Sequence, residues 1–142
     1  MKTSARNQLA GVVCSIKEGM VNAEVVLSLP GGHELVAAVT LESCRHLGLQ
    51  VGSPVIALIK SSSVIVATDL AHIRLSARNQ LKGLVSHVSR GAVNSVVTLD
   101  LGNGMNITAG VTMQSAEQLD LHPGQYAVAI FKAGSVILGA LA

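Results

Sequence analysis

The chain has 142 residues with a net charge of +2, only 13% charged residues and 49% apolar ones, against roughly 25% charged in ordinary soluble proteins. That balance is too neutral to imply a nucleic-acid partner. It points instead to a protein that hides much of its surface in a stable oligomer, because large exposed apolar patches invite aggregation. Membrane insertion fails on length: the apolar runs Val55–Ile59 and Val64–Ala67 are strand-sized and separated by Lys60 and three serines, whereas a spanning helix needs about 20 apolar residues. Lys2 and Arg6 are followed by no apolar h-region, so no signal peptide is expected.

In chain order, Ala10–Ile16 reads as a strand, with Lys17-Glu18-Gly19 as its turn. Val21–Leu29 is a second strand, closed by Pro30-Gly31-Gly32, and His33–Val39 a third. The period then changes. Leu41, Cys44 and Leu47 are spaced by three, and Thr40 with Ser43 at the start predicts a short capped helix ending before Gly48. After the turn Val51–Pro54, Val55–Ile59 and Ser63–Thr68 are expected to form a hairpin around Lys60-Ser61-Ser62.

The same order then recurs. Ser4-Ala5-Arg6-Asn7-Gln8-Leu9 returns as Ser76-Ala77-Arg78-Asn79-Gln80-Leu81, and an offset of 72 aligns residues 4–70 with 76–142 without a gap, 27 of the 67 pairs being identical. Such a match is an internal duplication. Leu101-Gly102-Asn103-Gly104 is the hairpin of the second copy and Thr112–Leu119 its helix. Each copy is β-β-β-α-β-β, the order of an OB-type five-stranded barrel. The fold class is therefore mainly all-β, two tandem barrels each with one short helix, with domains at 1–70 and 71–142. The joint Asp69–Leu75 lacks Gly and Pro and is expected to run extended into the second copy.

The duplication also filters the residues. Most charges fail it: Glu18 faces Arg90, Glu24 faces Val96, Glu34 faces Asn106, Glu42 faces Gln114, Arg45 faces Glu117 and Asp69 faces Leu141. Within the aligned span only Arg6/Arg78 and Lys60/Lys132 are identical charges, and no carboxylate is retained. The retained polar pairs are Ser4/Ser76, Asn7/Asn79, Gln8/Gln80, Asn22/Asn94, Thr40/Thr112, Ser43/Ser115 and Ser63/Ser135. Two cations with hydroxyls and amides, and no repeated negative group, describe a site for an anion. Asn7, Gln8, Asn79 and Gln80 are expected to serve turns and backbone bonds rather than ligand.

Cys14 and Cys44 face Ser86 and Ala116, and the five histidines never align. A disulfide framework would have been duplicated, so both thiols are expected to be reduced in a cytoplasmic protein. Cys44-Arg45-His46 lacks the second ligand pair of a zinc site. No retained Cys, His, Asp or Glu can act as nucleophile or base, so no enzyme is expected.

The S-A-R-N motif, the T-x-x-S at Thr40–Ser43 and a Lys between the last two strands resemble the Mop family of molybdate-binding domains, and two copies in one chain resemble the di-domain molbindins. The resemblance covers nearly the whole chain. It implies a cytoplasmic binder and buffer of molybdate or tungstate, without organic cofactor, as a homotrimer with its ligands at subunit interfaces. Carried over by position, it places Ser4, Arg6, Lys60 and Ser61 of one domain against Thr40 and Ser43 of a neighbour. The second copy would use Ser76, Arg78, Lys132 and Ala133 with Thr112 and Ser115, Ala133 standing where the first copy has Ser61. A second class of site, near a symmetry axis and lined by backbone amides, would draw on Gly19, Val21 and Asn22 with Gly91, Val93 and Asn94.

Molybdate is a tetrahedral dianion whose oxygens only accept hydrogen bonds. Arg supplies a fork of donors, Lys a compact charge, and Ser or Thr hydroxyls turn to point inward. Two cations balance its charge, which matters because burying an uncompensated ion is costly. Two other classes stay open. An OB barrel can bind single-stranded nucleic acid by stacking bases on aromatics, but Tyr126 and Phe131 face Pro54 and Ile59 in the other copy. A purely structural oligomerisation module is the other alternative.

Overall fold

In the computed structural model, which describes residues 1–141, ten strands form two five-stranded sheets. The first copy contributes β1 (Asn7–Glu18), β2 (Asn22–Ser28), β3 (Glu34–Thr40), the helix α1 (Leu41–His46), β4 (Pro54–Ile59) and β5 (Ile65–Ala67). The second contributes β6 (Asn79–Arg90), β7 (Asn94–Gly102), β8 (Met105–Thr112), α2 (Met113–Gln118), β9 (Tyr126–Phe131) and β10 (Ile137–Ala140). Every predicted strand and helix is present, with the expected helix between the third and fourth strands of each copy. The joint is less regular than expected: a turn closed by Ile73 N–H on the Leu70 carbonyl interrupts it, and no ladder bonds follow until Asn79.

The expected hairpin of β4 with β5 does not form. The sheet orders are β10-β4-β1-β2-β3 and β5-β9-β6-β7-β8, so each copy gives its last strand to the other copy's sheet. Ile137–Ala140 pairs antiparallel with Val55–Leu58, and Ile65–Ala67 with Val128–Ile130. The turn chemistry explains the exchange. Tight two-residue hairpin loops need positive φ and therefore Gly or Asn. Ser61–Ser63 instead forms a 3-10 turn flanked by Lys60 at φ −65° and Val64 at φ −99°, which sends the chain onward rather than back. Asn103-Gly104 shows the contrast: both have positive φ (54° and 75°) and close the β7–β8 hairpin in two residues.

Alternation along the strands turns Val25, Leu27, Leu35, Val55 and Ile59 inward in the first sheet and Val97, Leu99, Ile107 and Phe131 in the second. The edge strands β10 and β3 of the first sheet, and β5 and β8 of the second, approach each other, curling each sheet into a partly open barrel. Because the last strands are exchanged, the two interiors join into one hydrophobic core that includes Val66 and Leu138. The long strands β1 and β6 bend at bulges at Cys14 and Ser86, whose side chains both bond back to the partner strand, Cys14 to the Val26 carbonyl and Ser86 to that of Thr98. Cys14 and Cys44 are unpaired thiols. Gly11 and Gly83, retained in both copies, sit where a Cβ would lie 2.8 and 2.6 Å from the carbonyls of Ser28 and Asp100.

Two buried asparagines tie the barrels together. Asn79 donates Nδ2–H to the Val36 carbonyl and accepts the Val36 N–H through Oδ1, both at 2.8 Å. Asn7 makes the same pair of bonds with Thr108. The expectation that these amides serve backbone bonds is met, but across the copies rather than in local turns. Gln8 and Gln80 do serve locally, each donating to the carbonyl three residues before it, Ala5 and Ala77.

Candidate functional site

The ladder register explains how residues far apart in sequence come together. Asn7 pairs with Ile59 across β1 and β4, so the residues just outside, Arg6 and Lys60, leave adjacent strands at the same end of the sheet. Asn79 pairs with Phe131 and puts Arg78 beside Lys132 in the same way. In the first copy Ser4, Arg6, Lys60 and Ser61 line one cleft of about 340 Å3, together with Thr3, Ser135 and Ile137. Among the described residues no acidic one lines it. Ser135 and Ile137 come from the other copy, brought there by the strand exchange, which the sequence reading did not anticipate.

The copies differ in what their arginines meet. Among the described residues Arg6 makes no ion pair, whereas Arg78 Nη1 donates to Glu24 Oε2 at 2.7 Å. Glu24 fails the repeat filter because its counterpart is Val96. A filter built on shared residues is blind to a partner present in one copy alone.

Thr40 and Ser43 lie in a separate cleft lined also by Val39, the acidic Glu42, His46 and Leu47, with Val136, Ile137 and Leu138. The two clefts share Ile137 but not their polar groups, so within one chain Thr40 and Ser43 do not join Arg6 and Lys60. The threonine caps its helix as the sequence predicts. Thr40 Oγ1 accepts the Ser43 N–H at 3.0 Å and donates to Ser43 Oγ at 2.8 Å. Thr112 and Ser115 repeat this at 3.1 and 2.8 Å. With its oxygen already accepting, each serine hydroxyl keeps its own proton free to donate outward.

The amide candidates lie at the exposed tips of the β1–β2 and β6–β7 hairpins. The N–H groups of Gly19 and Gly91 are already spent on the carbonyls of Asn22 and Asn94, closing each turn. Val21 and Val93 are 72% and 74% exposed, their carbonyls accept the N–H of Leu41 and Met113, and their own N–H groups have no acceptor among the described residues. Of the aromatics, Phe131 is buried in the core and Tyr126 stands alone at the surface beneath Lys82. Among the described residues no helix is long and apolar enough to cross a membrane.

The chain is similar over almost all of its length to proteins of molybdenum handling. It is 49% identical over 138 residues to the molybdenum transport protein ModE of Herbaspirillum seropedicae, covering 97% of this chain and 51% of that one. The molybdenum-pterin-binding protein MopA of Rhodobacter capsulatus is 47% identical over 97% of this chain and 52% of its own. The chain thus spans about half the length of these curated relatives. Among solved structures, the cytoplasmic molybdate-binding protein ModG with molybdate bound superposes with a TM-score of 0.95 at 50% identity, covering 98% of this chain and 99% of that one. The TOBE domain profile matches twice, at residues 3–66 and 75–138. The chain belongs to the TOBE domain family, as a tandem pair of Mop-type domains.

Proposed function

We propose that the protein binds molybdate or tungstate at sites completed between subunits, as an intracellular store of the oxyanion rather than as an enzyme. The observation that carries this reading is the register-matched pair of Arg6 and Lys60, set in a cleft with Ser4 and Ser61 and, among the described residues, no acidic one. Two positive charges face a dianion, and the hydroxyls add donors without adding fixed acceptors. The likeness to a molybdate-bound ModG structure over the full chain supports the choice of ion.

The cleft is open and roomier than one tetrahedral ion needs, and the free hydroxyls of Ser43 and Ser115 lie elsewhere on the surface. A neighbouring subunit would bring these two half-sites together. Exposed apolar side chains retained in both copies, Val21 with Val93 and Ile65 with Ile137, are suited to that contact. A homotrimer is the assembly this reading adopts, with residues 1–70 and 71–142 as its repeat units, a cytoplasmic location, and the Val21 and Val93 amides as axial donors. Nucleic-acid binding is disfavoured because Phe131 is buried and cannot stack on a base.

Thermal melts with molybdate, tungstate, sulfate and phosphate test the reading. A ligand that binds only the folded state stabilises it by about 2.7 kcal/mol at a hundredfold excess over Kd. Molybdate is expected to raise Tm while equal phosphate barely does. Equal shifts with every anion would reduce the site to a generic basic patch.

A further inference from the structure

The two arginines are delivered to their positions by the same device. Asn79 is locked onto Val36 of β3, and β3 pairs with β2, where Glu24 lies opposite Ala38. Arg78, next in sequence to Asn79, is thereby held beside Glu24, and its Nη1 lies 2.7 Å from the carboxylate. In the other copy Asn7 is locked onto Thr108 of β8, which pairs with β7, where Val96 lies opposite Gly110. Val96 stands there at the position Glu24 holds in the first copy, and among the described residues Arg6 makes no ion pair.

We propose that Glu24 is a built-in competitor for the oxyanion at the Arg78 site. This rests on the reading of Arg6 and Arg78 as ligands given above. A carboxylate offers guanidinium the same kind of forked acceptor edge that an oxyanion does. When the Arg78 site is empty, Glu24 occupies the guanidinium; an arriving dianion displaces it and remains beside its negative charge. Arg6 and Lys60 present two positive charges, whereas Arg78 and Lys132 with Glu24 present a net of one. The Arg78 sites therefore bind more weakly than the Arg6 sites and fill later as oxyanion rises. The pair is a displaceable one: the side chains of Arg78 and Glu24 are 54% and 36% exposed, and ion pairs of that exposure are weak.

The test exchanges the two counterparts in the whole 142-residue chain. Titration calorimetry with molybdate is run on Glu24→Val and Val96→Glu, each in an Arg6→Ala or an Arg78→Ala background so that one set of sites is read at a time. Glu24→Val is expected to tighten the Arg78 sites by about twofold to fivefold and to leave the Arg6 sites unchanged. Val96→Glu is expected to weaken the Arg6 sites by a similar factor. Glu24→Gln keeps the shape and removes the charge, so it must reproduce Glu24→Val even where valine perturbs folding. If Arg78→Ala removes a set of sites but neither Glu24 variant tightens that set, or both weaken it, Glu24 is no competitor and the arginine reading stands. If Arg78→Ala leaves the stoichiometry intact, the arginine reading itself falls.

Discussion

Asn7 grips Thr108 from the other copy with both ends of its amide: Nδ2–H donates to the Thr108 carbonyl at 2.8 Å and Oδ1 accepts the Thr108 N–H at 2.7 Å. The side chain thus acts as one more unit of β-strand on the edge of β8, where the Thr108 N–H and C=O would otherwise lie half-buried without partners. Asn79 does the same for Val36 on β3. Since each asparagine follows a repeated arginine, the clamp that joins the barrels also sets where the arginines stand.

Removing one clamp should therefore cost stability first. Asn7 is 2% exposed, and Asn7→Ala deletes two hydrogen bonds while stranding a donor and an acceptor on β8. The expected loss is about 2–6 kcal/mol, at 1–3 kcal/mol for each of the two groups left unsatisfied. Asn7→Asp keeps the acceptor but repels the Thr108 carbonyl, and should be at least as damaging. Urea unfolding of the two variants checks this. A loss below that of an ordinary surface substitution, ±0.5 kcal/mol, would mean that the amide is dispensable.

The strand exchange leads to a second expectation, about half-chains. A fragment of residues 1–70 contains β5 but not β10, so its sheet lacks a fifth strand and its core lacks Leu138. Val64-Ile65 is identical to Val136-Ile137, the residues that lead into the missing strand. The fragment is expected to dimerise by giving its own β5 to the β4 edge of a second copy. Light scattering combined with circular dichroism would show it. A folded monomer of this fragment would mean that Lys60–Ser63 can also close as a hairpin.

That β4 and β5 do not pair with each other also shows where the sequence stops being legible. Strand positions, the capped helices and the repeated cations follow from local pattern: alternation, the Thr40 and Ser43 spacing, and identity between copies. Which sheet a strand joins does not. Ile65–Ala67 has the same alternating character whichever edge it meets, and only the missing Gly or Asn at Lys60–Ser63 hinted that it would not fold back. The site was legible to the same depth. Comparing the copies singled out Arg6, Lys60, Thr40 and Ser43, which recur in both, and passed over Glu24, whose position against Arg78 exists in one copy and depends on contacts across the exchange.

A further difference between the two proposed sets of sites is Ser61 against Ala133. Ser61 lies over Gly110, where a Cβ would stand 3.6 Å from its Oγ, and lines the cleft with Arg6 and Lys60. Among the described residues its hydroxyl has no hydrogen-bond partner, so it is free to donate to a ligand. A hydrogen bond to a charged group contributes about 1.5–3 kcal/mol, or roughly a 10- to 100-fold change in Kd. In an Arg78→Ala background, which leaves the Arg6 sites to be read alone, Ser61→Ala should weaken molybdate binding by that factor. The reverse change, Ala133→Ser in an Arg6→Ala background, should strengthen the Arg78 sites, and more so when Glu24 is also replaced by valine. An unchanged Kd in both experiments would show that this position contributes through its backbone N–H, which serine and alanine share. The Ser61/Ala133 difference would then have no part in separating the two sets.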